Sequence, residues 1–126
     1  MLGLFKRTPK LAAEFRPSRA VARELAREID VAGELVLRNE GRDAELSDLE
    51  LVFIGGGTRR IDLTLPDAWR GRVRIPAGGE LRQQVAWKVG LAAPMRAPEA
   101  EIQVVTTAGG KLHPLATTAK FPLSNE

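Results

Sequence analysis

Short runs of alternating apolar and polar residues, each closed by glycine or proline, constrain this chain more than anything else in it. Ile61-Asp62-Leu63-Thr64-Leu65 alternates and stops at Pro66, and Arg70-Gly71-Arg72-Val73-Arg74-Ile75 alternates and stops at Pro76. Leu49, Leu51 and Phe53 share one parity ahead of Gly55-Gly56-Gly57, and Leu81, Val85, Trp87 and Val89 are likewise evenly spaced. Period 2 belongs to a half-buried strand, whose side chains alternate between core and solvent. With Ile29–Leu37, Ile102–Thr107 and a last run over 116–123, about seven strands emerge, with turn residues every ten positions or so. That spacing predicts an all-β fold, an antiparallel sandwich or a barrel.

The 126 residues suffice for one domain. The expected organisation is a basic N-terminal arm over 1–10 and a single β domain over 11–126. Leu11–Phe15 reads as a short first strand ended by Arg16-Pro17, because proline has no N–H for a ladder. Residues 18–28 read two ways. Val21, Leu25 and Ile29 recur every four residues behind Ser18, a helix with an N-cap, while Leu25, Ile29 and Val31 also share a strand parity. From Ile29 onward Gly33 and Leu35-Val36-Leu37 favour the strand.

Several chemistries are excluded or left without residues. The chain has no cysteine, so disulfides, thiolate metal sites and cysteine nucleophiles are out, and the cytoplasm is the expected compartment. The opening Leu2, Leu4, Phe5, Lys6, Arg7 has its cations after its apolar residues, the reverse of a secretory signal, and could at most touch a surface or partner. No stretch approaches the roughly 20 apolar residues of a membrane span. His113 is the only histidine and sits in Lys111-Leu112-His113-Pro114, with no nucleophile motif beside it. Asp43, Glu45, Asp48 and Glu50 lack the spacing of a calcium loop, and Gly55-Gly56-Gly57-Thr58 lacks the lysine of a phosphate loop. No enzyme, cofactor or metal is therefore expected.

The segment Val31-Ala32-Gly33-Glu34-Leu35-Val36-Leu37, then Asn39-Glu40-Gly41, then Leu46 and Leu49-Glu50-Leu51, resembles the opening of arrestin-like domains, especially the bacterial sporulation-control protein family. Val73–Glu80 is similar to that family's strand and turn, Val85-Ala86-Trp87-Lys88-Val89 to its next inward strand, and Pro94-Met95 and Ile102–Thr106 to the loop and strand that follow. The resemblance spans roughly residues 29–123. It implies an immunoglobulin-like or arrestin-like sandwich acting as a scaffold or regulatory binding protein, with no catalytic residues to carry over.

Charge suggests where a partner would bind. The net charge is +3, but residues 28–54 hold eight acids against two arginines, between two basic stretches. Arg70, Arg72 and Arg74 would project from one strand face about 7 Å apart. Arg59 and Arg60 lie nearby in sequence, and Arg82 lies across a turn. These six are the candidate partner-binding residues. The partner would be a protein, met on this arginine face or at a sheet edge. The alternative is nucleic acid, with Trp69 as the stacking aromatic. Arginines that bind nothing would instead form a solvated face or pair with the chain's own acids near Glu45–Glu50. Self-association through an uncovered edge is also open.

Overall fold

The computed structural model describes residues 9–108 and 110–126. The basic arm therefore lies almost wholly outside the described residues. The fold is an all-β sandwich, as the alternation requires. Among the described residues seven strands have five residues or more: β1 (Leu11–Arg23), β2 (Glu28–Asn39), β4 (Leu49–Gly55), β5 (Arg59–Leu63), β7 (Glu80–Gly90), β8 (Glu99–Ala108) and β9 (Lys111–Thr117). Four are two or three residues long: β3 (Ala44–Leu46), β6 (Val73–Ile75), β10 (Phe121–Pro122) and β11 (Ser124–Asn125).

One sheet runs β11-β1-β2-β7. The other runs β8-β4-β5, with β9 and β10 both on the far side of β8: β10 pairs at Glu99–Ala100 and β9 from Gln103 onward. Thr118 fills the gap between them, its hydroxyl accepting the Ile102 N–H at 3.0 Å. The inward parity of each strand supplies the core: Ile29, Val31, Leu35 and Leu37 from β2, Leu51 and Phe53 from β4, Ile102 and Val104 from β8. Phe15, Phe53 and Phe121 join the layers, with ring centroids 5.0 Å apart for Phe15–Phe121 and 6.3 Å for Phe53–Phe121.

The helical reading of residues 18–28 is overturned. β1 continues through Pro17 to Arg23, and a turn over 24–27 leads straight into β2. The register slips by one residue between Pro17 and Arg19. Before that bulge Leu11, Ala13 and Phe15 face the core; after it Ala20 and Ala22 do. The extra residue flips the parity, so the segment shows no clean period of 2 and part of it imitates a helix.

Asn39 does more than turn the chain. Its side chain is buried and donates to the carbonyls of Ile75 (2.8 Å) and Arg42 (2.6 Å), while its oxygen accepts from Gly41 N–H (2.9 Å). One amide thereby locks the β2–β3 connection to the strand entering β7. The β3–β6 ribbon sends Ala44, Leu46, Val73 and Ile75 into the main core.

The two sides of the sandwich end differently. On the β1 side the C-terminal segment crosses from one sheet to the other. β10 pairs with β8, then β11 pairs in parallel with Val21 and Ala22, and Glu126 N–H reaches the Ala22 carbonyl at 2.8 Å. On the opposite side, among the described residues, β7 pairs only with β2 and β5 only with β4.

Candidate interaction surface

The six candidate arginines do not form one face. Gly71 adopts φ +73°, which interrupts the expected strand, so only Arg74 lies in β6. Arg70 follows a 3-10 turn over Asp67–Trp69 and pairs with Asp67 at 3.3 Å. Arg72 lies 3.6 Å from Glu45, and Arg74 stands in register with that same residue. Arg59 donates to the backbone carbonyls of Ala93 (2.6 Å) and Pro94 (2.7 Å), clamping a loop, and Arg60 donates to Gln103 at 2.7 Å. Trp69 is fully buried in the core and offers no surface for stacking.

Arg82 belongs to a feature that no single segment foretells. On the outer face of the first sheet, three arginines and three glutamates alternate in a closed ring. The links are Glu14–Arg16 (3.2 Å), Arg16–Glu34 (3.5 Å), Glu34–Arg82 (3.0 Å), Arg82–Glu80 (2.7 Å), Glu80–Arg38 (3.3 Å) and Arg38–Glu14 (3.3 Å). Val36 stands in register between Glu14 and Arg82, at the centre of the ring, and is completely buried although it points away from the core. The aliphatic stems of long charged side chains cover apolar surface in this way while their heads stay in water. Glu14 and Glu80 are held below the ordinary glutamate range, chiefly by hydrogen bonds from Arg16 and Arg82 respectively. Beside the ring, Asp30 is shared by Arg23 (2.9 Å) and Arg19 (3.0 Å), and the Arg23 bond lowers its pKa. This face is close to electrically neutral, and its charges other than Lys88 are mutually occupied.

What stays unoccupied is the backbone of β7. Two bonds flanking the strand fix its hydrogen-bond alternation: Asn39 N–H to Gly79 O (2.9 Å) and Leu91 N–H to Arg27 O (2.7 Å). Both belong to the register that pairs Val31 with Trp87 and Leu35 with Gln83. In an antiparallel ladder the bonded pairs recur every second residue, so the odd-numbered residues of β7 aim their N–H and C=O groups at β2. Glu80, Arg82, Gln84, Ala86, Lys88 and Gly90 aim theirs outward. The strand is eleven residues long, has no proline, and its register against β2 never slips.

An open groove of about 540 Å3 runs along this edge. Gln83–Trp87 form one wall and Thr64–Ala68 with Arg70 the other. The walls are tied at one point, where the Trp87 indole N–H donates to the Thr64 carbonyl at 2.8 Å. Half-buried Ile61, Leu65, Leu81, Val85 and Val89 lie on this side of the core. The edge and its groove escape a reading by residue type, because the unspent groups are backbone. The usable sequence signal is the length and regularity of Leu81–Val89.

Searches by sequence find neither a matching family model nor a curated relative. The likeness lies in shape. A Bordetella pertussis protein named as a candidate ApaA superimposes with a TM-score of 0.54 at 13% identity, over 94% of this chain and 96% of its own. A structural-genomics target called SoR45 gives 0.53 at 10% identity, over 92% and 87% respectively. At such identities the likeness shows a shared fold. It extends over almost the whole of each chain. No helix among the described residues is long and apolar enough to cross a membrane.

Proposed function

We propose that this chain is a non-enzymatic protein-interaction domain whose binding surface is the outer edge of β7 with its adjoining groove. The observation that carries the reading is the row of outward backbone groups on Glu80, Arg82, Gln84, Ala86 and Lys88, beside the groove lined by Leu65 and Val85. An extended segment that adds to a sheet edge gains affinity from main-chain bonds and specificity from its alternate side chains. The resemblance to arrestin-like sporulation-control proteins supports a scaffold or regulatory role of the same kind. The nucleic-acid alternative has less behind it: Arg70, Arg72 and Arg82 face carboxylates, Arg59 binds backbone, and Trp69 is in the core.

Selection from a displayed library of random peptides tests this, with Gln84→Pro as the counter-target. Proline at position 84 deletes an outward N–H without touching the bonds to β2, and edge strands tolerate it. Extended peptides that bind the wild type and lose at least tenfold on Gln84→Pro support the reading. Peptides indifferent to the substitution contradict it, as does salt-sensitive binding of oligonucleotides stronger than any peptide.

A further inference from the structure

We infer that the occupant of the β7 edge is a second copy of this chain, paired antiparallel through β7 about a two-fold axis at Gln84. This rests on the reading of β7 as the binding edge. The free groups belong to even-numbered residues, so a symmetric ladder must pair even with even. Three registers join most of the strand. The first, centred on Gln84, sets Glu80 opposite Lys88, Arg82 opposite Ala86, and Gln84 opposite its own copy. The second, centred on Val85, sets Arg82 opposite Lys88, a like-charge pair on one face that opposes association. The third, centred on Gln83, sets Glu80 opposite Ala86 and Arg82 opposite Gln84, with no charges paired.

Registers shifted further shorten the ladder. Charge therefore selects the Gln84-centred register over the slightly longer Val85-centred one, which would also join Glu80 to Gly90. The selected register forms two Glu80–Lys88 pairs, one at each end. Lys88 has no carboxylate within ion-pair distance among the described residues, and Glu80 sits on the adjoining end of the Arg38–Arg82 ring. The inner face of this ladder brings Leu81 towards Trp87 and Gln83 towards Val85, which covers the apolar side of the groove. About ten main-chain bonds would close across the axis. An unbroken edge strand normally carries a bulge, a proline or a cover against such pairing. β7 has neither bulge nor proline, and no described strand covers it.

Sedimentation equilibrium on the full chain, wild type beside Gln84→Pro and Lys88→Glu, tests the inference, with thermal melts confirming that each variant folds. The expected result is a wild-type dimer, a monomer for Gln84→Pro, and a dimer weakened roughly tenfold for Lys88→Glu, where two attractive pairs become repulsive. Tighter association of Lys88→Glu would overturn the register, because a carboxylate at position 88 is attracted only where that position faces Arg82. A wild type that stays monomeric at high micromolar concentration would overturn the self-pairing. If that monomer still takes library peptides at β7, only the occupant is wrong; if it takes none, the binding edge itself fails.

Discussion

Gly33 stands directly opposite Pro17, so close that a Cβ on the glycine would lie 2.8 Å from the proline Cα and closer still to the Arg16 carbonyl oxygen. The bulge after Pro17 presses β1 against β2 at this point. The glycine is required for space, since its backbone is ordinary extended strand. Its neighbours are backbone atoms and cannot swing aside. Gly33→Ala should therefore cost about 1–3 kcal/mol, as overpacking does. Urea denaturation monitored by tryptophan fluorescence measures it, with a lower midpoint and an unchanged slope expected.

Asn39 predicts a comparable loss from a different cause. Asn39→Ala leaves the buried Ile75 carbonyl and the Arg42 carbonyl without their donor. Orphaning a buried polar group costs about 1–3 kcal/mol. A total of roughly 2–4 kcal/mol is expected from denaturant unfolding, while Asn39→Asp, which keeps the acceptor for Gly41 but no donor, should recover only part.

The ion-pair ring, with Asp30 beside it, should contribute to the acid limb of stability. Glu14 and Glu80 titrate below the ordinary 4.5, and Asp30 below 3.8, because arginines hydrogen-bond their charged forms. On acidification the unfolded chain takes up these protons before the folded one does. The contribution is therefore complete above the ordinary carboxylate values and disappears as the pH falls through the depressed ones. Unfolding free energy should be flat near neutrality and decline below about pH 4.5. A Glu14→Gln/Glu80→Gln variant should show a shallower decline over the same window.

Trp87 ties the groove's two walls through the Thr64 carbonyl. Trp87→Phe keeps an aromatic ring in the core but removes the donor. Global stability should fall by about 0.5–1.5 kcal/mol for the bond, plus the smaller ring's packing. Amide exchange should accelerate locally in Leu65–Trp69, ahead of the rest of the sheet.

The alternation of Ile29–Leu37, Leu49–Phe53, Ile61–Leu63 and Leu81–Val89 made the sandwich legible, because each run lies within one regularly paired strand whose odd-numbered residues face the main core. The runs that misled are those in which the backbone departs from regular pairing. The bulge at Pro17 hides a thirteen-residue strand. Asp48 at φ +53° separates β3 from β4, and Gly71 shortens the strand expected to carry the arginines. Arg70, Arg72 and Arg74 looked like a ladder because charge and parity were visible while φ was not. The ring around Val36 joins residues from three strands, up to 68 positions apart as between Glu14 and Arg82, so only the register reveals it.

The most direct test of the open edge is residue-resolved amide hydrogen exchange along β7, read by NMR at two protein concentrations. In dilute solution the amides of Leu81, Gln83, Val85, Trp87 and Val89 should be protected by β2, while those of Arg82, Gln84, Ala86 and Lys88 exchange close to the rate of an open chain. At high concentration the second set should become protected as the edge is filled. Protection of both sets in dilute monomer would mean that the edge is already covered, and would contradict the account.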